Sequence, residues 1–202
     1  SNVRNSANVT GAQAARRVLD SQGLYDVQIE QVAGELSDHY DPRDRTLRLS
    51  QGVYGVPSIA AMGIAAHEAG HAIQHAKAYA PLQVRTALVP AVSLGSNLGI
   101  IVLIAGFLLG ITGLAWAGVA LFALSTVFAL VTLPVEFDAT RRAKEALVQV
   151  GLADNGRAGG EESQGVAKVL DAAAWTYIAG FATSLLTLLY YVMLVSGMRR
   201  SD

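Results

Sequence analysis

Between Leu88 and Val135 this chain has no Asp, Glu, Lys or Arg. An uncharged run of that length admits few folds. It supplies two helices of about 20 residues, each long enough to cross hydrocarbon. Gly110-Ile111-Thr112-Gly113 has the residues of a tight helix–helix connection. That places a first span at Leu88 to Gly110 and a second at Leu114 to Leu133. A third runs from Thr176 to Val195, with Tyr177, Tyr190 and Tyr191 towards its ends, where interfacial aromatics collect. The chain has 202 residues, 52% hydrophobic and 15% charged, too few to bury such a hairpin in a soluble core. The expected fold class is a mainly α integral membrane protein.

Just before the first span stands His67-Glu68-Ala69-Gly70-His71, the pattern H-E-x-x-H. Residues four apart on a helix point about 40° apart around its axis. His67 and His71 can therefore grip one zinc ion, with Glu68 to one side, placed to act as the catalytic base. Ile59, Ile64, Ile73 and many alanines make Ser58 to Ala80 largely apolar. A polar trio in a buried helix needs partners, and a metal satisfies all three. Pro57 suits the first turn of this helix. Gly63 and Gly70 each cost about 1 kcal/mol against Ala, which points to another backbone packed closely against them.

A catalytic zinc takes three protein ligands. Candidates for the third are His75, His39, Glu136 and Asp138. His75 lies about 80° around the axis from His67, which strains ligation by all three histidines. His39 sits in Asp38-His39-Tyr40-Asp41-Pro42, a turn or strand end. Two antiparallel spans return the chain to the side it left. Glu136 follows the second span, so it comes back to the face that carries His67 and His71, and topology favours it. Pro134 is placed to end or kink that span.

The remaining segments read as follows. Ser1 to Asn8 are polar and expected to be loose. Thr10 caps a helix from Gly11 to Ser21, with Ala12, Ala15, Val18 and Leu19 on its apolar side. Val27 to Val32 alternates as a strand, and Asp41-Pro42-Arg43-Asp44 is a turn between two short strands, the second being Thr46 to Ser50, with Leu47 and Leu49 inward. This small sheet lies next to the zincin-like H-E-x-x-H helix, and its edge is suited to pairing with an extended substrate. Gln51 to Val56 leads into that helix. Glu136 to Val150 and Glu161 to Ala174 read as helices, with a glycine-rich loop from Gly151 to Gly160 between them. The expected organisation is residues 1–87 for cap helix, sheet and H-E-x-x-H helix, and 88–133 for the transmembrane hairpin. Residues 134–174 then hold the third-ligand helix, loop and connecting helix, and 175–202 the last span and tail.

Lys and Arg set orientation. Lys77, Arg85, Arg141, Arg142, Lys144, Arg157 and Lys168 lie on the catalytic side, and Arg199 and Arg200 on the other. The bias puts the catalytic side in the cytoplasm. The polar N-terminus holds no secretory signal peptide. Without cysteine there is no disulfide or thiolate site, and a net charge of -1 gives no sign of nucleic-acid binding. The expected partners are the lipid bilayer, a protein or peptide substrate, and a membrane-protein partner or a second copy of the chain.

Taken together, several stretches resemble the bacterial membrane neutral zinc metallopeptidases. They are Thr10-Gly11 with Ala15-Arg16-Arg17-Val18-Leu19-Asp20, Gly23-Leu24-Tyr25-Asp26-Val27, Asp38-His39-Tyr40-Asp41-Pro42 and Leu47-Arg48-Leu49-Ser50. To these are added Ala65-Ala66-His67-Glu68-Ala69-Gly70-His71-Ala72-Ile73-Gln74 and Leu133-Pro134-Val135-Glu136-Phe137-Asp138-Ala139. The resemblance covers nearly the whole chain. It implies a multi-pass bacterial inner-membrane zinc protease of the gluzincin type, with Zn2+ as cofactor and Glu as third ligand. It also implies an N-terminal anchor upstream of Ser1. Many gluzincins place an Asp four residues after the third ligand to support a ligating His. Here that position is Thr140, while Asp138 is two residues on and is expected to face the other side of the helix.

The expected chemistry is peptide hydrolysis with Glu68 as the base, acting on membrane-associated proteins or peptides. His39, Tyr40 and Arg141 are candidates for transition-state support, and Asp138 and Thr140 for support of the ligands. Two rivals differ in class. One is an intramembrane protease of the site-2 kind, which draws its third ligand from a Leu-Asp pair; Leu19-Asp20 and Leu170-Asp171 are the pairs present. The other is a non-catalytic, zinc-stabilised membrane scaffold or chaperone, for which Glu68 would be superfluous.

Overall fold

The computed structural model describes residues 3–153 and 161–198. Arg157, Arg199, Arg200 and most of the expected glycine-rich loop lie outside the described residues. The chain divides into two compact units. One comprises Ser1–Tyr79 and Glu136–Trp175, the other Ala80–Val135 and Thr176–Asp202.

The first unit begins with helix α1 (Gly11–Ser21). Thr10 Oγ1 accepts the Gln13 N–H and Gln13 Oε1 accepts the Thr10 N–H, a reciprocal cap that starts the helix. Its apolar face, Ala14, Ala15, Val18 and Leu19, is fully buried. Gly23 adopts φ 73°, at no steric cost to glycine, and directs the Leu24 N–H back to the Leu19 carbonyl.

Among the described residues before α1, Val3 and Asn5 are tied down, contrary to the polarity of that segment. Asn5 Nδ2 donates to the Val9 carbonyl (2.7 Å) and Asn5 Oδ1 accepts the Val9 N–H (2.8 Å). The Ile59 N–H donates to the Val3 carbonyl (2.9 Å), and the Asn5 N–H to the Pro57 carbonyl (3.1 Å). Buried main chain must be paired, and Asn5 supplies the pairing where no regular element does.

Three strands follow among the described residues. They are β1 (Gln28–Val32), β2 (His39–Asp41) and β3 (Thr46–Ser50), in spatial order β1-β3-β2. β1 runs parallel to β3 and β2 antiparallel to it. The short β2 exists because acidic side chains shape the turn after it. Asp41 Oδ1 accepts the Arg43 N–H (2.9 Å) and Asp44 Oδ1 the Thr46 N–H (3.1 Å). Leu47 and Leu49 are fully buried, as the alternation requires.

A single helical turn, α2 (Gln51–Tyr54), leads to α3 (Ile59–Ala76). Ser58 Oγ accepts the Ala61 N–H (3.1 Å) and caps α3, so Pro57 lies just outside the helix and not in its first turn. Two of the largest side chains in the core around α3, Met62 and Leu147, are completely buried.

Among the described residues, three helices are long and apolar enough to cross a membrane, and they build the second unit. α4 is Ala80–Leu108, α5 is Thr112–Gln149 and α6 is Glu161–Met198. Gly110 at φ 68° makes the turn between α4 and α5. A Cβ on Gly106 would collide with the main chain of Ala115, and one on Gly118 with that of Leu103. The hairpin closes because glycine lets the two backbones touch, which is how apolar helices associate in lipid. The hydroxyls of Thr126 and Ser184 meet at 2.8 Å and join α5 to α6. Leu94, Leu186 and Met193 remain 67–74% exposed, an arrangement suited to hydrocarbon. Pro134 does not end the second span: α5 continues through it to Gln149. Proline removes one main-chain donor there, while the residues on both sides keep their helical bonding.

Candidate metal centre

α3 and the C-terminal half of α5 meet over Gly70. A Cβ at that position would lie 2.5 Å from the Ala139 carbonyl oxygen, inside contact distance of rigid main chain. The cost of a mid-helix glycine therefore has a structural return at Gly70. At Gly63 the neighbours are side chains of Val166, Val169 and Leu170 at ordinary distance, so the close backbone expected there is absent.

The approach at Ala139 decides which residues of α5 reach α3. At 100° per residue, positions 136 and 140 lie about 60° and 100° to one side of 139, and 142 and 138 as far to the other. Both flanks point towards α3. Glu136 and Thr140 occupy the first flank, Asp138 and Arg142 the second. Asp138, expected on the other side of the helix from Glu136, lies on that opposite flank and still reaches α3, because the contact line runs through Ala139.

On the first flank, Glu136 Oε2 lies 3.1 Å from His67 Nε2 and 3.6 Å from His71 Nε2. The two imidazoles stand edge to face, 4.9 Å between centroids. All three residues are buried, and one ligand atom of each lies within 4.8 Å of the others. Two imidazole nitrogens and one carboxylate oxygen, converging in a buried spot with no thiolate, are the donor set of a catalytic zinc with a place left for water. The residues fit a Zn2+ site. Thr140 Oγ1 lies 3.3 Å from His67 Nδ1, so a hydroxyl supports the histidine that a carboxylate supports in many gluzincins. Gly70→Ala is expected to cost about 1–3 kcal/mol of stability through overpacking, and to lower zinc occupancy by prising α5 from α3. Thermal unfolding and zinc per chain in the purified variant check this.

Glu68 follows His67 on α3 and is not one of the three clustered ligands. Protein around its carboxyl strips solvent from the charged form and pushes the pKa up to about 7, with His67 opposing and Glu136 and Asp38 reinforcing the rise. The Tyr40 main chain hydrogen-bonds the same carboxylate. β2 is an edge strand of the sheet, and its Tyr40 main chain reaches Glu68.

The other expected site residues are engaged elsewhere. His75 Nδ1 pairs with the Tyr40 hydroxyl at 2.9 Å, and takes no part in the cluster. His39 is exposed with Nδ1 on the Ser37 carbonyl at 2.7 Å. Arg141 is half exposed, its guanidinium on Asp138 (2.5 Å) and Glu145 (2.8 Å). Asp20 pairs with Arg16, and Asp171 with Lys144. Neither Leu-Asp pair supplies a metal ligand, which removes the sequence basis for a site-2 type centre.

Sequence reasoning missed Gln74 as a site residue. It is completely buried, and its Oε1 lies 3.0 Å from His71 Nδ1. A polar residue three positions after a ligating His, on an otherwise apolar helix, was the available signal.

A membrane-borne fold with a buried His-His-Glu centre defines a membrane zinc metallopeptidase, a hydrolase of proteins or peptides. Residues 1–196 match the family described as "Putative neutral zinc metallopeptidase", and the chain belongs to it. It is 46% identical over 194 residues to "Putative membrane protease YugP" of Bacillus subtilis (strain 168), an alignment covering 96% of this chain and 84% of that protein. No solved structure matches. The relationship places the protein among multi-pass proteins of the bacterial inner membrane.

Proposed function

We propose that His67, His71 and Glu136 hold the zinc ion and that Glu68 is the general base of peptide hydrolysis. The observation that carries this is the convergence of three buried ligand atoms on one spot, with the Glu68 carboxyl adjacent to His67 on the same helix. When bound, zinc supplies Lewis acidity, polarising a carbonyl and bringing the pKa of water to about 7. Glu68 takes the proton from the attacking water and passes it to the departing amide nitrogen. The Tyr40 main chain fixes the Glu68 carboxylate in direction. An extended substrate adding to the free side of β2 would run past Glu68, with main-chain hydrogen bonds giving affinity largely independent of sequence.

The substrates we infer are membrane proteins or their exposed segments, and the catalytic side is cytoplasmic. Lys77, Lys144 and Lys168 on that side, against an uncharged turn at Gly110, support the orientation. The test uses protein reconstituted in vesicles with a membrane-anchored peptide reporter. Chelation is expected to abolish cleavage and zinc to restore it. Cleavage that survives complete zinc removal would overturn the hydrolytic reading. The chain has no cysteine, so single substitutions report topology cleanly. In intact cells Gly113→Cys is expected to label with an impermeant maleimide, and Lys77→Cys only after permeabilisation. The reverse pattern would overturn the orientation.

A further inference from the structure

The second flank of α5 is a buried polar chain for which zinc ligation alone gives no reason. His71 Nδ1 lies 3.0 Å from Gln74 Oε1, and Gln74 Nε2 lies 2.9 Å from Asp138 Oδ2. Asp138 is in turn held by Arg142 Nε and Arg141 Nη2, each at 2.5 Å. Arg142 stands over the Tyr79 ring, 5.6 Å from its centroid. Gln74 is completely buried and the Asp138 side chain is only 11% exposed.

Donor and acceptor rules make this chain directional. An ionised carboxylate only accepts. Two guanidinium groups keep Asp138 ionised, so the Gln74 atom facing it must be the amide nitrogen. The Gln74 oxygen then faces His71, and an amide oxygen only accepts. His71 Nδ1 must therefore carry the proton, and the lone pair falls on Nε2, the nitrogen turned towards Glu136 and His67. A neutral imidazole has one such lone pair, and a metal ligand needs it on the right atom.

We propose that Gln74 is the positioning residue for His71, fixing its tautomer and ring direction, and that the Arg-clamped carboxylate of Asp138 fixes the Gln74 amide. The two histidines are thus supported differently: His67 by the hydroxyl of Thr140, His71 by a charge delivered through an amide. This inference rests on the reading of His71 as a zinc ligand.

The experiment measures zinc affinity by chelator competition, with folding followed by circular dichroism, in the detergent-solubilised full chain. His71→Ala tests the underlying reading, and retention of parental affinity in that variant would overturn ligation by His71 itself. Gln74→Leu keeps the volume but removes the acceptor, and zinc affinity is expected to fall about 10- to 100-fold, the range for losing a ligand's hydrogen-bond partner. A second variant guards against simple misfolding. Gln74→Glu combined with Asp138→Asn moves the carboxylate one link inward, so His71 again donates to an oxygen and the new amide donates to the new carboxylate. It is expected to bind zinc far more tightly than Gln74→Leu. In zinc-loaded protein with 15N-labelled histidine, a hydrogen-bonded Nδ1 proton of His71 is expected in the parent and the paired variant. If His71→Ala loses zinc while Gln74→Leu binds as the parent does, the relay is overturned and ligation stands. Failure of the paired variant to recover affinity would also overturn it.

Discussion

Glu68→Gln is expected to leave one zinc per chain in place and to lower peptide hydrolysis by about 10²–10⁴-fold. The amide matches the carboxyl in shape, so His67, His71 and Glu136 keep their geometry. It cannot take a proton from water at neutral pH. Metal analysis and cleavage of a membrane-anchored peptide read the two effects separately. Undiminished hydrolysis would remove Glu68 from the reaction, and lost zinc would make it a ligand. The same variant carries a pH signature in the metal-free protein. The Glu68 carboxyl sits at about 7, above its ordinary value of 4.5, so folding favours the protonated form. Its ionisation costs nothing below the unfolded value, and the cost grows as pH rises from there through 7. Gln never ionises. Metal-free Glu68→Gln should match the parent in stability near pH 4 and exceed it above pH 7, as thermal melts will show.

The second large effect is expected from Glu136→Ala. Glu136 is 1% exposed and its oxygen faces both Nε2 atoms. Removing it leaves two imidazoles, which do not make a catalytic zinc site. Zinc affinity should fall by more than the roughly 100-fold that marks the upper end for supporting residues, and hydrolysis with it. Zinc content after gel filtration checks this, and a full complement would mean that another donor completes the centre. The contrast between the two variants is informative. One empties the site and the other leaves it filled but idle.

Most of what defines this site was legible in the residues. The uncharged run forces a hairpin, and a hairpin brings position 136 back to the side of position 71. H-E-x-x-H states its own geometry. The role of Gly70 was legible because a mid-helix glycine has a cost that needs a reason. Other features were not, and the causes are physical. β2 is only His39–Asp41, too short for alternation to show, and its partner was set by turn hydrogen bonds and not by apolar pattern. The ordering of the N-terminal segment depends on Asn5 reaching Val9 and on main chain meeting Pro57, neither of which has a periodic signature. That Asp138, on the other side of the helix from Glu136, still reaches α3 was not legible. The contact line through Ala139 emerges only when two helices are packed together.

The collision that forbids a side chain at Gly70 narrows what the two unspecified letters of the zinc motif can be. In a chain built this way the fourth letter is glycine, and its opposite number on the later helix is a small residue between the third ligand and the supporting hydroxyl. A genome searched for His-Glu-any-Gly-His with Gln three places on, paired with a distant Glu-any-any-Ala-Thr after an uncharged hairpin, would be searched for this helix crossing. It would pass over zinc helices that meet their third-ligand helix by another crossing.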